Sequence, residues 1–212
     1  MRTTWRWPRD HDEGDLIVSE MDEVIPALVA AVQEQHATGD HYRDDAIRQA
    51  MEHQAQLALR PGPVRVDVIV DPPWSDGQIN SVQVVTGDRP FLVDTVASCL
   101  LRHGWRVEDV RHPIIGVKRD RGTIEAVGMP GRGGCASESW IHIDATAPLG
   151  TDIGQAAEQL RDDLCACLDQ VVCATDDWGA MHEAMLRTAE LVSASSGPAD
   201  DRDSSRELLE WL

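Results

Sequence analysis

The run Arg60-Pro61-Gly62-Pro63 constrains this chain more than any other feature. Two prolines and a glycine in four residues end any helix that reaches them, because proline lacks a backbone donor and crowds the preceding turn. The spacing of apolar residues changes period across this stop. Before it, Leu16, Ile17, Val24, Leu28 and Val32 recur near helical spacing, with Pro26 bending or breaking the element, and Tyr42, Ile47, Met51 and residues 57–59 mark a second helix. After it, Val64, Val66, Val68 and Val70 alternate with Arg65, Asp67 and Ile69, which is the period of a strand with one well-buried face. A helical segment over residues 1–63 therefore precedes an α+β domain over 64–175, and a C-terminal helix and linker fill 176–212.

Within the α+β domain, residues 79–86 form a second strand that feeds into Gly87-Asp88-Arg89-Pro90. Asp88 can cap free N–H groups and Pro90 suits a first helical turn, so Phe91, Leu92, Val96, Leu100 and Leu101 define a helix over 90–103 ending at Gly104. Residues 105–117 are strand-like with a bend or edge at Pro113, and Arg119-Asp120-Arg121-Gly122 turns them into a hairpin with residues 123–127. After a glycine-rich loop, residues 137–144 form a strand with Ser139, Ile141 and Ile143 on one face and Glu138, Trp140 and His142 on the other. Ile153, Ala156, Leu160, Leu164 and Leu168 build a second helix, residues 171–174 a short last strand, residues 178–192 a further helix and residues 193–205 a linker. The order is that of a ferredoxin-like βαββαβ antiparallel sheet with both helices on one face, extended by N-terminal helices and a C-terminal helix. The other face needs a cover, from the N-terminal helices, a second copy of the sheet, or both.

Charge and composition narrow the function. A net charge of −18, spread along the chain, opposes phosphate backbones and argues against a nucleic-acid partner. No run of about 18 apolar residues is available to span a bilayer, and residues 1–8 lack a secretory core, so a cytoplasmic protein without a membrane partner is expected. The five cysteines are odd in number and sit mostly among apolar residues, which suits reduced, buried thiols.

Chemistry-bearing patterns are few. Gly128-Met129-Pro130-Gly131-Arg132-Gly133-Gly134 precedes a strand, whereas a dinucleotide loop opens a helix, so it reads as a mobile hairpin loop. Cys165 and Cys167 are two apart on a helix and point about 200° away from each other, so core packing fits better than metal. The histidines make no metal-ligand spacing. His142 with Glu138 or Asp144 is the one candidate acid/base set, with packing as the plainer account. No catalytic residue, metal site or cofactor site is assigned. Only the turn at residues 86–90 offers backbone donors at a helix N-terminus to a small anion such as an amino-acid carboxylate, with simple capping by Asp88 as the alternative.

Residues 82–96, containing Asp88-Arg89-Pro90-Phe91-Leu92-Val93-Asp94-Thr95-Val96, resemble the D-x-P-F-L-V-D-S/T-V signature near the N-terminus of the large NAD-specific glutamate dehydrogenases. Arg111-His112-Pro113 with the apolar strand after it, Glu138-Ser139-Trp140-Ile141-His142-Ile143, and Asp177-Trp178 with Met181 are similar to that family's further landmarks, in the same order. Glu207-Leu208-Leu209-Glu210-Trp211-Leu212 is similar to the segment where the family's chains continue. The resemblance covers about residues 64–212. It implies an ACT-like fold, a non-catalytic regulatory or oligomerisation segment, downstream domains of the same polypeptide as partners, and a homo-oligomer. NAD would be the cofactor of the full-length parent, which deaminates glutamate oxidatively, with none held in this chain. It also implies an amino-acid effector at Asp88, Arg89, Pro90 and Asp94. Phe91 stands where many ligand-binding ACT domains have glycine, and is expected to fill the space a ligand needs. A free-standing amino-acid sensor on the same fold is the alternative function.

Overall fold

The computed structural model describes residues 16–17, 21–35, 44–75, 77–194 and 198–211. These divide into two compact units, residues 1–168 and 169–212. In the first, β1 (Leu16–Ile17), β2 (Val64–Ile69), β3 (Asn80–Gly87), β4 (Arg106–Arg111), β5 (Ile114–Asp120), β6 (Thr123–Gly128) and β7 (Ala136–Thr146) form one sheet, with every pairing antiparallel. The strand order is β1-β6-β5-β7-β3-β2, and β4 continues the line of β5 along β7. The helices of this unit are α1 (Met21–Gln35), α2 (Asp44–Ala58), α3 (Leu92–Arg102) and most of α4 (Ile153–Asp176).

The α+β ferredoxin-like sheet expected from the sequence is observed, but its last strand is not where the sequence placed it. Residues 171–174 belong to α4, which runs unbroken to Asp176. The sheet position beside β3 that such a strand would take is occupied by β2, so the ladder was already complete and a helical period could persist. As an edge strand, β2 is half-buried on both faces instead of having one well-buried face, and its Arg65 is more buried than Val68.

Two N-terminal expectations change as well. Residues 16–32 are not one bent or broken helix: Leu16 and Ile17 pair with Val127 and Ala126, and the helix starts at Met21 with Pro26 tolerated on its exposed side. Tyr42 lies outside the described residues. Val24, Leu28 and Val32 of α1 and Met51, Ala55 and Ala58 of α2 pack on Val85, Ile115, Val117, Val127 and Trp140, so this helical pair covers one face of the sheet. Alternation puts Val82, Val84, Ile141 and Ile143 on the opposite face, all fully buried, where the stripes Leu92-Val96-Cys99-Leu100 of α3 and Ala157-Leu160-Leu164-Leu168 of α4 supply the cover.

At Pro113 the strand is interrupted without losing its ladder. His112 and Pro113 separate β4 from β5, yet Trp140 N–H donates to the Pro113 carbonyl at 3.0 Å. Arg121 and Gly122, both at positive φ, make the two-residue turn into β6. The glycine-rich loop does not close a hairpin. Since β6 and β7 both run antiparallel to β5 on its two sides, they are parallel to each other, and residues 129–135 must cross β5 to join them. The crossing passes over Gly116, where an added Cβ would lie 2.5 Å from the backbone of Gly128 and Met129.

The second unit holds the end of α4 together with α5 (Trp178–Ser193) and α6 (Ala199–Trp211), and α5 and α6 pack on each other. Helix α6 takes the place of much of the expected linker: Arg202 N–H bonds the Pro198 carbonyl, and Asp200 and Asp201 favour the N-terminal turn electrostatically.

Candidate functional site

Two groups of polar side chains could carry function. The first is the turn between β3 and α3. Asp88 N–H extends the β3 ladder by donating to the Ser137 carbonyl at 2.8 Å. Its carboxylate does not cap α3 as expected; Oδ1 accepts from the Ser139 hydroxyl at 2.6 Å. With its proton committed there, Ser139 Oγ accepts at 3.0 Å from His112 Nε2, which therefore carries its hydrogen. Burial holds the His112 imidazole below its ordinary range, although the Asp88 charge pulls the other way. Asp88 is thus the end of an Asp88–Ser139–His112 chain that ties the turn to β7 and to the break between β4 and β5.

With Asp88 engaged elsewhere, α3 begins at Leu92 instead of Pro90, and its N-cap, Phe91, makes no side-chain cap bond. Phe91 has φ 71°, the left-handed conformation that glycine adopts freely and a bulky residue rarely does. Its ring is 68% exposed, so it stands away from the protein and does not fill the turn as expected. Asp94 lies exposed in the first turn of the helix. Arg89 is half-buried, with Nε 3.4 Å from the Gly87 carbonyl, and Pro90 is exposed. Thr86 adds an observation that the sequence did not suggest: its hydroxyl is buried and without a hydrogen-bond partner. The four sequence-predicted residues are therefore together on one turn, joined by Thr86, His112 and Ser139. His112 and Ser139 lay within recognised motifs, but nothing in their spacing showed that they would meet Asp88.

The second group lies between α2 and the sheet and contains His142. Gln54 Nε2 donates to the carbonyls of Val84 and Ile141, at 3.3 and 2.9 Å, pinning α2 across a paired position of β3 and β7. Gln83 Nε2 donates to the Ala50 carbonyl at 2.9 Å and to His142 Nδ1 at 3.1 Å, while its Oε1 accepts from His53 Nδ1 at 2.8 Å. His142 Nε2 faces Asp144 Oδ1 at 3.0 Å and Ser81 Oγ at 2.9 Å, and Arg111 Nη2 closes on Asp144 Oδ2 at 2.5 Å. Nδ1 accepts and Nε2 donates, which is a neutral imidazole. Burial is the largest cause holding it below its ordinary range, with Arg111 adding to that and the Asp144 hydrogen bond opposing it.

Helix α2 covers this face of β7, in line with packing as the plainer account of His142. His142 is only 4% exposed. Glu138, its other proposed partner, is bound by Arg119 at 2.6 and 3.0 Å, and Arg119 also donates to the Ala58 carbonyl at the end of α2. The acid/base set thus has no open face toward a substrate, and its groups serve packing. Among the described residues no group of three or more His, Cys, Asp or Glu side chains could hold a metal ion, and no helix is long and apolar enough to cross a membrane.

The family model that matches the chain is that of the glutamate dehydrogenase ACT1 domain, over residues 28–164. The matched span starts in α1 and ends in α4, and it includes both polar groups.

Proposed function

Since the chain belongs to the glutamate dehydrogenase ACT1 domain family, we propose that it is the non-catalytic, N-terminal regulatory segment of an NAD-dependent glutamate dehydrogenase and that its β3–α3 turn receives an amino-acid effector. In this reading NAD and glutamate are bound by downstream domains of the same polypeptide, where oxidative deamination to 2-oxoglutarate and ammonium takes place. The protein works in the cytoplasm.

The observation that carries the reading is that the turn holds both signs of charge beside an uncapped helix end. The first N–H groups of α3 and the Arg89 guanidinium suit an α-carboxylate, and Asp88 and Asp94 suit an α-ammonium group. The unpartnered Thr86 hydroxyl favours a ligand that brings one more hydrogen-bonding atom. Self-association has support in the outer edge of β2, which among the described residues has no neighbouring strand, whereas charged Arg106, Glu108, Asp109 and Arg111 discourage pairing along β4.

The test is thermal unfolding of the whole chain with each of the common amino acids. A ligand at about 100 times its Kd adds about 2.7 kcal/mol, which is roughly 5–10 °C for a chain of this size. Asp88→Asn and Arg89→Gln should each remove the shift. A flat response across the panel would overturn the effector reading, and a gene that stops directly after Leu212 would overturn the parent-enzyme reading.

A further inference from the structure

Two of the five cysteines meet across the helical layer. Cys99 lies on α3, fully buried, and Cys167 lies on α4, half-buried. Arg102, one turn after Cys99 on α3, reaches across so that its Nη2 donates to Cys167 Sγ at 3.1 Å, and its positive charge also acts on the Cys99 sulfur. The two thiols are close enough for each to feel the other's charge. His103 Nε2 bonds Asp163 Oδ2 at 2.7 Å one turn away on α4, so the end of α3 is held against the stretch of α4 that carries Cys167.

We propose that Cys99 and Cys167 are a redox modification site, a dithiol that a hydroperoxide converts to a disulfide stapling α3 to α4. The geometry divides the roles. Cys167 is the sulfur that solvent reaches, and the Arg102 guanidinium beside it can stabilise the anionic oxygen that leaves the peroxide. Its thiolate attacks the peroxide: an S–O bond forms, the O–O bond breaks, and the departing alkoxide takes a proton and leaves as an alcohol. The product is a sulfenic acid at Cys167. Cys99, shielded from peroxide by its burial, then attacks Cys167 Sγ. The S–S bond forms, the S–O bond breaks, and hydroxide leaves with the Cys99 proton as water. Two thiols and one hydroperoxide give one disulfide, one alcohol and one water, a two-electron oxidation of the sulfurs. Burial pushes the Cys99 thiol up, which keeps it protonated until its neighbour is oxidised.

The remaining cysteines are placed differently. Cys165 is two residues from Cys167 and so turned about 200° around the helix from it, Cys135 is buried in the loop that crosses β5, and Cys173 is exposed near the end of α4. The staple closes a long loop through the sheet, so it should raise the melting temperature by several degrees.

The whole chain is treated with a small molar excess of hydrogen peroxide, free thiols are blocked with N-ethylmaleimide, and peptides are mapped by mass spectrometry without reduction. A Cys99–Cys167 cross-linked peptide is expected, removed by dithiothreitol and accompanied by the higher melting temperature. Cys167→Ser, at a half-buried position, should abolish both. Cys173→Ser should change neither, and Arg102→Met should slow cross-linking severalfold. Recovery of Cys167 as a sulfinic acid or as the blocked thiol, with no cross-link to Cys99, would overturn the proposal. So would a cross-link that joins Cys165 or Cys173 instead.

Discussion

Gly116→Ala tests the crossing of β5 by the glycine-rich loop. Ile115 and Val117 point toward α1 and α2, so residue 116 points to the other face, where the loop from β6 to β7 passes. An alanine Cβ there would sit 2.5 Å from Gly128 O, Met129 C and Met129 O. Carbon and its neighbours are comfortable at about 3.5–4.0 Å, so the loop or the strand must move by about 1 Å. All three atoms are backbone, held between two strands, and no side chain can rotate away. Overpacking of this kind costs about 1–3 kcal/mol, and rigid backbone on both sides places Gly116→Ala near the top of that range. A loss of about 2.5 kcal/mol lowers the melting temperature by roughly 5–10 °C. Urea unfolding followed by circular dichroism measures it, with Gly179→Ala as the reference, because an added Cβ at Gly179 in α5 meets nothing within 4 Å. That reference should be neutral or slightly stabilising, since alanine suits a helix better than glycine. If Gly116→Ala unfolded at the same urea concentration as the parent, the loop could not lie across β5 as described.

Phe91→Gly should stabilise the chain by about 0.5–1 kcal/mol, because relief of a left-handed backbone worth about 1–2 kcal/mol exceeds the entropy that glycine adds to the unfolded state; a lower urea midpoint would contradict this. Arg119→Met leaves Glu138 buried with Arg65 nearby and a long bond from Trp140 Nε1, and should cost about 3 kcal/mol, most of it recovered in the double variant with Glu138→Met, as a double-mutant cycle would report. Because burial holds His142 below 6.5, the unfolded chain binds a proton in acid that the folded chain refuses, among Asp144, Arg111 and Asp109. Stability should therefore be full above about pH 7.5 and fall as the pH drops through 6.5, by at most about 1.4 kcal/mol from this group at about pH 5.5. His112, also lowered by burial, acts in the same direction, and a His142→Gln chain whose stability kept the full pH dependence would refute the assignment.

Most of the elements could be read along the chain because their causes are local. The stop at residues 60–63, the turn at Arg121-Gly122 and the helical stripe from Leu92 to Leu100 depend on φ preferences and spacing within a few residues. Errors came where a neighbour distant in sequence decided. Residues 171–174 have a strand-like composition, but the place beside β3 was already taken by β2. Asp88 is a good capping residue by type, but Ser139, fifty-one positions away, donates to its carboxylate at 2.6 Å. The spacing of Glu138, His142 and Asp144 put them on one face but could not show which groups would pair them there: Gln83 and Arg119, with Gln54 pinning α2 on the same face.

By itself the sequence determined the α+β class, the helical flank, the period of each major element and, through its ordered motifs, the glutamate dehydrogenase ACT1 family. Only the tertiary structure decided which strand completes the sheet, where Phe91 points, which thiols meet and which carboxylates remain open at the β3–α3 turn. Periodicity and turn chemistry are written into neighbouring residues, whereas these outcomes depend on which groups far apart in the chain come together in the folded state and pair there instead of with water.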